Sequence, residues 1–482
     1  MNALDRLAEL VDPAVGRFGW AVLLYFVIVN GFYLILLLSA SWELREHGFE
    51  VAGESRHRVL SSRVAPRITM LVPAYNEAAT IVESVQALMT LAYLDLEVIV
   101  VDDGSSDDTL GELTRAFDLV PIHPIYRRRI DTESVSAIYR SRRAKGLTVA
   151  RKDNGGKADS LNAALNLASG ELVCALDADT LVEEDALQRL VRPFLRSDDI
   201  VAAGATIRVA NDARVHRGRI VRAAAPHHAL EGIQAVEYLR AFLFGRVGWN
   251  RLGSNLVISG AFGLFRREAL VEAGGYANTI GEDMEIIIRL RRQGYETGQP
   301  HRVEFVPDPL AWTEVPSSMR VLGRQRDRWH RGLSDSLWRH RRVFLNPRYG
   351  VLGMVVFPAF VVIEWLAPIV EALGIFFLLV GLIGGNLDAS FAVLFFTAAY
   401  GLGLLMSTYA LLLEELTFRR YGSAGDRARL LGWALLENLG YRQITVWWRL
   451  KGIVRFLQGD HDWGEMERQG FRSSDSAAQS SI

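Results

Sequence analysis

Long apolar runs dominate the hydropathy pattern of this chain. Residues 20–40 and 389–413 contain no formally charged side chain, and both exceed the roughly 20 residues that a helix needs to cross a bilayer. We predict that both span a membrane, the first as an uncleaved anchor. Residues 351–382 are equally apolar but contain Glu364 and Glu371, which predicts a kinked span or an interfacial helix leading into one. These two carboxylates share a helical face, and they either line a hydrophilic path or lie at the headgroup level.

Basic residues are unevenly distributed around these runs. Arginines follow the run 20–40, precede the run 351–382 and follow the run 389–413, whereas the link 384–390 has no Lys or Arg. The positive-inside rule therefore places that link and the N-terminus outside, and the large middle region in the cytosol. The predicted location of the protein is the inner membrane. Residues 430–457 are amphipathic and carry several charges, which favours a helix at the cytosolic interface over a further span.

These patterns predict five regions along the chain. They are an N-terminal anchor at 1–45, a cytosolic domain at 66–340, a transmembrane region with two spans at 351–413, an amphipathic helix and candidate gating segment at 429–472, and a disordered polar tail at 473–482. Three spans are few for a self-sufficient channel, so a homo-oligomer or a partner membrane protein is compatible with this layout.

The middle region alternates strand-like and helix-like patterns. Short apolar runs at 68–72, 97–101, 172–176 and 200–204 each lie next to turn residues or helical stretches. This alternation predicts an α/β domain with a parallel sheet covered on both faces. In such sheets ligands bind at the carboxyl ends of the strands, and that is where the polar motifs of this chain fall.

Composition narrows the class of protein. Half of the residues are hydrophobic and the mean hydropathy is +0.13, which favours a membrane enzyme. The net charge of -1 gives no reason to expect nucleic acid as a partner. Because Cys174 is the one cysteine, the sequence excludes an intrachain disulfide and a cysteine-based metal site. Cys174 itself lies in an apolar run.

Carboxylates follow the first two predicted strands directly. Glu77 comes after the first strand, and Asp102 and Asp103 come after the second. Such carboxylates can accept hydrogen bonds from a base imide or a ribose hydroxyl, which favours a nucleotide. Helix capping is the alternative, and it is the weaker one because two such clusters stand at consecutive strand ends.

Two further motifs suit a diphosphate and a metal ion. Lys157 follows two glycines and precedes a helix, so it can neutralise a diphosphate at a helix N-terminus, although a surface turn is the default for an isolated motif of this kind. Asp177 and Asp179 come just after a buried strand and can hold Mg²⁺ or Mn²⁺ with oxygen ligands, whereas a capped turn is the structural alternative.

An acidic pair, Glu282 and Asp283, opens a predicted helix well downstream of the metal motif. A carboxylate without another task there is a candidate general base for an acceptor hydroxyl. Taken alone, the pair is better explained by the preference of acids for a helix N-terminus. Upstream, Ser259 and Gly260 either line the acceptor site or form a plain turn.

The last group is the pentapeptide at residues 325–329. Gln325 and Arg328 lie on one helical face with Trp329 beside them. Arginine binds phosphate bidentately, and an indole offers an apolar platform for a sugar ring. Arg-Trp pairs also occur as interfacial anchors of membrane proteins.

In this order the motifs resemble the processive glycosyltransferases of family 2, which include cellulose, chitin, hyaluronan and poly-N-acetylglucosamine synthases. The similarity covers about residues 66–332, and the motifs that carry it are at 72–77, 102–105, 156–157, 177–179, 281–283 and 325–329. The third acidic motif here is Gly-Glu-Asp where many relatives have Thr-Glu-Asp, which leaves the expected base in place. A short His-Asp-Trp-Gly-Glu segment at 461–465 is similar in kind to the gating loop of hyaluronan synthases.

The resemblance implies a GT-A (Rossmann-like) domain that transfers a sugar from a UDP-sugar with inversion, forming a β-linkage. It implies Asp179 as the main metal ligand, Asp177 on the nucleotide and the metal, and Asp283 of the Glu282–Asp283 pair as the base. Further implied roles are uridine binding by Glu77 and by Asp102 or Asp103, diphosphate binding by Lys157 and Arg328 with Gln325 alongside, and acceptor binding by Trp329.

Three functions remain open at this stage. The preferred one is a membrane β-glycosyltransferase that polymerises a sugar and exports the polysaccharide. The runner-up adds one sugar to a lipid carrier or short glycan, and the intact Gln-x-x-Arg-Trp group argues against it because a single-addition enzyme has less need to hold a growing chain end. A non-catalytic membrane scaffold is the third, and the retained metal pair and base argue against it.

Overall fold

A mixed ten-stranded sheet forms the centre of the protein. The structure is a computed structural model that describes residues 3–53, 65–177, 180–216, 218–253, 255–299, 301–383 and 389–460. The strands are β1 Ile68–Ala74, β2 Leu96–Asp102, β3 Leu119–Ile122, β4 Val135–Ser141, β5 Leu147–Lys152, β6 Leu172–Leu176, β7 Leu181–Val182, β8 Ile200–Val209, β9 Arg214–His216, β10 Arg219–Arg222, β11 Phe262–Arg266 and β12 Arg302–Thr313. The sheet has the order β3-β4-β5-β2-β1-β6-β11-β8-β12-β7, and β9 and β10 form a separate hairpin.

Helices cover this sheet and form the C-terminal part of the described chain. The α-helices are α1 Ala3–Gly53, α2 Ile81–Met89, α3 Thr109–Phe117, α4 Lys157–Leu167, α5 Ala186–Leu190, α6 Arg192–Arg196, α7 Ala229–Arg240, α8 Val247–Arg251, α9 Arg267–Glu272, α10 Glu282–Thr297, α11 Met319–Arg339, α12 Phe357–Ala359, α13 Ala367–Ile383, α14 Ala389–Phe396, α15 Leu402–Thr417, α16 Ala424–Leu436 and α17 Arg442–Leu457. Wider π-helical turns lie at Ala241–Arg246, Leu352–Val356, Phe360–Trp365, Thr397–Gly401 and Glu437–Tyr441, and short 3₁₀ turns at Arg341–Val343 and Pro347–Tyr349.

The central strands are buried on both faces, as their continuous apolar runs predict. Met70 and Val72 of β1 lie in one hydrophobic core, whereas Leu71 between them lies in the core on the other face. Because side chains alternate across a strand, helices on both faces are needed to bury such a run. All four strands predicted from apolar runs are confirmed, and β1, β2, β5 and β6 pair in parallel.

The expectation of a parallel sheet is wrong for part of the sheet. Strand β11 lies antiparallel between β6 and β8, and β4 is antiparallel to both β3 and β5. A fully buried strand is an apolar run whether it is parallel or antiparallel to its neighbours. The sequence of Phe262–Arg266 therefore does not indicate the direction of this strand.

One helix segment, Gly19–Phe49 near the N-terminus, has the length and apolar composition to cross a membrane among the residues that the structure describes. A second candidate is the pair Leu352–Trp365 and Ala367–Ile383, bent by 41°. The predicted span at 389–413 is helical but is not one of these candidates. The multi-pass arrangement therefore stays a prediction.

The bend in the second candidate has an identifiable cause and a partner. Pro368 has no N–H for the carbonyl of Glu364 one turn earlier, so the helix kinks there. That carbonyl instead accepts a hydrogen bond from the guanidinium of Arg449. Glu371 pairs with Arg442 at 2.5 Å, so α17 contacts both acidic positions, in agreement with their predicted common face.

A single amphipathic helix over residues 430–457 was predicted, and the structure has two helices instead. The break lies at Leu439 and Gly440, where Gly440 has a φ of 83°. Helix α17 packs closely on α11, since a Cβ at Gly452 would lie 2.8 Å from the carbonyl of Asp327. The contact brings the end of the described chain to the pentapeptide helix.

Candidate active site

The loops after β1 and β2 are tied to each other at the carboxyl edge of the sheet. Asn76, with a φ of 55°, accepts a hydrogen bond from the Ser106 amide at 2.8 Å. The Glu77 amide donates to the Thr109 hydroxyl at 2.9 Å, and the Glu77 carboxylate accepts from Thr80 at 2.8 Å. The two strand ends lie side by side, and part of the polar cluster serves turn and cap geometry, the alternative reading of these residues.

Asp103 is occupied by the glycine loop that follows β5. Its carboxylate accepts from the Gly155 and Gly156 amides at 3.0 and 2.8 Å and from Lys152 at 2.5 Å. Gly156 has a φ of 87°, a conformation that favours glycine. Asp103 therefore shapes the loop that leads to Lys157, a task that sequence reasoning did not assign to it.

Asp102 keeps one carboxylate oxygen for a ligand. Oδ1 accepts from the Ser105 amide at 3.0 Å, whereas the buried Oδ2 has no hydrogen-bond partner among the described residues. Arg151 lies 3.8 Å from that oxygen. Buried polar atoms are nearly always hydrogen-bonded, so this unpaired oxygen indicates a missing partner. Asp102 is therefore a better candidate than Asp103 for contacting a nucleotide.

Lys157 bridges two of the predicted motifs. Its Nζ lies 2.8 Å from Asp177 Oδ1 and 2.9 Å from Glu282 Oε1. Burial alone would lower the pKa of Lys157, but the two carboxylates outweigh it and raise that pKa. Burial raises the pKa of Glu282, and Lys157 opposes the rise. A charged lysine thus joins the metal motif to the helix that carries the expected base.

Asp283 lies at the N-terminus of α10 against the turn that contains Ser259 and Gly260. Its Oδ1 accepts from the Met284 amide at 2.8 Å and its Oδ2 accepts from the Gly260 amide at 3.2 Å. A Cβ at Gly260 would lie 3.0 Å from Lys157 Nζ, so a larger residue there would have to displace the lysine head group. Ser259 and Gly260 line a small cavity together with Lys157 and the acidic pair, which places the predicted acceptor turn beside the predicted base.

The pentapeptide helix is held against this site by a contact between two glycines. A Cβ at Gly281, just before the acidic pair, would lie 2.8 Å from the carbonyl of Gly332 on α11. Gln325 is 9% exposed and its Oε1 has no hydrogen-bond partner among the described residues. Trp329 is 44% exposed, so its indole has a surface available to a ligand.

Sequence reasoning missed the residue that orients this indole. The guanidinium of Arg326 stacks over the Trp329 ring at 4.5 Å and pairs with Glu237 at 2.7 Å. Arg326 and Trp329 are three positions apart on a helix, a spacing that brings side chains together. This i, i+3 spacing is the signal in the sequence that identifies the pair.

The metal motif is only partly described. Asp179 lies outside the described residues, and no group of three His, Cys, Asp or Glu side chains within the described ranges is arranged to hold a metal. Asp177 nevertheless offers a carboxylate that is partly exposed at the edge of the sheet, a ligand type that suits Mg²⁺ or Mn²⁺. The segment at 461–465 also lies outside the described residues, beyond Asp460, which pairs with Arg455 at 2.6 Å.

Replacing Gly332 by alanine tests the glycine contact. The added methyl would lie 3.0 Å from Gly281 Cα, so we expect overpacking to lower the free energy of unfolding by about 1–3 kcal/mol despite the better helix propensity of alanine. We expect both the unfolding temperature and the rate of nucleotide release to be lower in this variant. The control is Gly432→Ala on α16, where no atom lies within 4 Å of the new methyl; equal behaviour of the two variants would contradict the packing argument.

Comparisons with known proteins find two family models and several curated relatives that match this chain. The glycosyl transferase family 2 model matches residues 69–274, and the glycosyl transferase family group 2 model matches residues 172–406. Poly-beta-1,6-N-acetyl-D-glucosamine synthase of Staphylococcus aureus is 28% identical over 310 residues, which are 64% of each chain. The enzyme of that name from Staphylococcus epidermidis is 26% identical over 333 residues, 69% of this chain and 70% of that one.

Among solved structures, a mannosyltransferase from Pyrobaculum calidifontis in complex with GDP-Man and Mn²⁺ is similar at a TM-score of 0.47 and 20% identity. The match covers 89% of this chain and 99% of that one. The chain spans 64% of the length of the Staphylococcus aureus relative. The two family models together run over residues 69–406, with the sheet, the acidic motifs and the pentapeptide helix, and over this range the chain is similar to the family 2 glycosyltransferases.

Proposed function

We propose that this protein is a membrane-associated glycosyltransferase that builds a polysaccharide by transferring a sugar from a UDP-sugar with inversion. The observation that carries the proposal is the Lys157 bridge, because one ammonium group holds Asp177 and Glu282 within 2.9 Å of its nitrogen. A donor-side carboxylate and the start of the base-carrying helix are thereby held at one point.

On the donor side, Asp102 is suited to the uracil imide, since its buried Oδ2 is available as an acceptor. Glu77 lies at the neighbouring strand end, where the two tied loops form a rim for the ribose. Asp177, with Asp179, would hold Mg²⁺ or Mn²⁺. When bound, such an ion supplies charge that stabilises a leaving diphosphate.

On the acceptor side, Asp283 is the proposed base. The attacking hydroxyl oxygen of the acceptor would form a bond to the anomeric carbon while its proton passes to Asp283 and the bond from that carbon to the diphosphate breaks. The Gly260 amide, which donates to Asp283 Oδ2 at 3.2 Å, fixes the orientation of the carboxylate. One displacement inverts the anomeric centre, so an α-linked donor gives a β-linked product.

The terminal sugar of the acceptor would lie on Trp329, whose ring is stiffened by Arg326 from one side. Gln325 keeps a buried amide oxygen for a sugar hydroxyl or the diphosphate, and Arg328 is proposed to contact the diphosphate. The names of the Staphylococcus relatives favour N-acetylglucosamine as the sugar and a polymer as the product. Addition of a single sugar to a lipid carrier is the competing function.

The proposal includes export of the polymer through the membrane helices. This part of the proposal rests on Glu371, whose buried carboxylate pairs with Arg442 at 2.5 Å, and on Glu364, which lies 3.8 Å from Arg449. Both arginines belong to α17, which packs on the pentapeptide helix. Buried ionised groups within apolar helices are costly and usually mark a pathway or a functional contact.

A donor panel tests the proposed chemistry. Purified full-length protein is incubated with UDP-N-acetylglucosamine, UDP-glucose, UDP-glucuronate or GDP-mannose, with Mg²⁺ or Mn²⁺, and release of the nucleotide is measured. We expect release from UDP-N-acetylglucosamine, and its loss when the divalent ion is chelated. Release from GDP-mannose alone would contradict the assignment of Asp102 to uracil. If no donor gave any release, the proposed glycosyltransferase activity would be contradicted.

A further inference from the structure

A cleft lined by arginines lies at the far end of helix α4 from the candidate active site. Its volume is about 240 Å³, and its walls include Tyr126, Arg127, Arg129 and Arg267 above the apolar side chains of Leu165 and Val271. Lys157 begins α4 and the cleft adjoins the end of that helix, so a rise of 1.5 Å per residue separates the two sites by roughly 15 Å.

The loop that carries two of these arginines is held in place by one side chain. Asn166 Oδ1 accepts from the Arg129 and Ile130 amides at 3.0 and 3.1 Å, and Asn166 Nδ2 donates to the Ile130 carbonyl at 2.8 Å. Ile130 is buried in the core. The cleft therefore has a preformed wall, which reduces the entropy cost of binding a ligand.

Positive charge in the cleft is only partly balanced. Arg129 pairs with Glu268 at 2.7 Å. Arg127 and Arg267 have no side-chain hydrogen-bond or ion-pair partner among the described residues, and the Nε of Arg267 is buried. A buried guanidinium nitrogen without a partner is uncommon because its desolvation is not offset, so an anion from outside would complete the site.

The shape and lining indicate which kind of anion. Guanidinium groups bind phosphate oxygens bidentately, and a half-exposed tyrosine over an apolar floor suits a flat ring. The volume of about 240 Å³ lies just below the roughly 300–1,000 Å³ of pockets for small molecules, so a small ligand with one ring would fill the cleft with part of its surface in solvent. We propose that this cleft binds a nucleoside phosphate at a site distinct from the transfer site.

Cations also gain stability at the C-terminal end of a helix, and this could place arginines near the end of α4 without any ligand. That account predicts effects on stability and none on ligand binding. It also gives Arg127 and Arg128 similar roles, since both lie on the same exposed loop, whereas only Arg127 lines the cleft.

Calorimetric titration of the full-length protein tests the proposal with AMP, GMP, UMP and inorganic pyrophosphate as probes. The variants are Arg127→Ala, Arg127→Ala with Arg267→Gln, and the matched control Arg128→Ala, whose arginine pairs with Asp131 at 3.8 Å. We expect at least one nucleotide to bind more tightly than pyrophosphate. We also expect affinity to fall at least tenfold in both cleft variants and to stay within twofold in the control.

Several results would overturn the proposal. They are no binding of any nucleotide at millimolar concentration, equal weakening in Arg128→Ala, or unchanged binding in Arg127→Ala, which would place the nucleotide in the transfer site alone. Pyrophosphate binding as tight as that of every nucleotide would remove the role of the ring. Arg127→Ala changes an exposed loop residue, so it keeps the test decisive if the double variant does not fold.

Discussion

Asp283→Asn is expected to reduce the turnover number for sugar transfer by about 10²–10⁴-fold, the usual contribution of a general base. Asparagine retains the shape of the side chain but has one oxygen, so it keeps one of the two hydrogen bonds that Asp283 Oδ2 and Oδ1 now accept from the Gly260 and Met284 amides at 3.2 and 2.8 Å. It cannot take a proton from the acceptor hydroxyl. The affinity for the UDP-sugar should stay within about threefold, because the loss concerns the transition state.

Steady-state kinetics together with calorimetric binding of the donor measure both quantities. The matched control is Glu296→Gln at the other end of α10, where the glutamate pairs with Arg292 at 3.4 Å on the surface. Its turnover should be unchanged. A turnover in Asp283→Asn within tenfold of the parent would remove Asp283 from the role of base and favour an acid outside the described residues.

Lys157→Met is expected to lower both turnover and thermal stability. The substitution removes an ammonium that lies between Asp177 and Glu282 and leaves two carboxylates without their shared cation. Breaking a buried pair on one side costs about 3–5 kcal/mol, and the partial exposure of Asp177 favours the lower end of that range. Glu282 and the start of α10 should shift, so turnover should fall at least tenfold.

This variant also separates two roles for the lysine. If Lys157 acted only on the diphosphate, as the family resemblance implies, KM for the donor would rise while the unfolding temperature stayed constant. The bridge instead predicts a lower unfolding temperature without ligand. Lys145→Met, at an exposed loop position, is the control for loss of one positive charge.

Much of the sheet could be predicted from the sequence because its central strands are short apolar runs that end in polar motifs. The strand ends of β1, β2 and β6 bring Glu77, Asp102 and Asp177 to one edge of the sheet. The direction of β11 could not be predicted. Burial on both faces removes the alternation of apolar and polar residues that would mark a strand, and an apolar run looks the same in a parallel and in an antiparallel strand.

The roles of single polar residues were harder to predict than their positions. Asp103 and Asp102 are adjacent in sequence, yet loop amides from Gly155 and Gly156 occupy only Asp103. The Lys157 bridge and the contact of Gly281 with Gly332 likewise depend on partners far apart in the chain. Sequence spacing identifies candidate ligand-binding residues, whereas tertiary contacts decide which of them are already occupied.

The central claim is that the site extends a polysaccharide, and the size of the product tests it most directly. Purified protein in lipid vesicles is incubated with radiolabelled UDP-N-acetylglucosamine and a divalent ion, and the product is sized by gel filtration against the amount of UDP released. We predict polymers of many sugars per acceptor, with one UDP released for each sugar incorporated. A product that carries a single added sugar, however long the incubation, would contradict the claim.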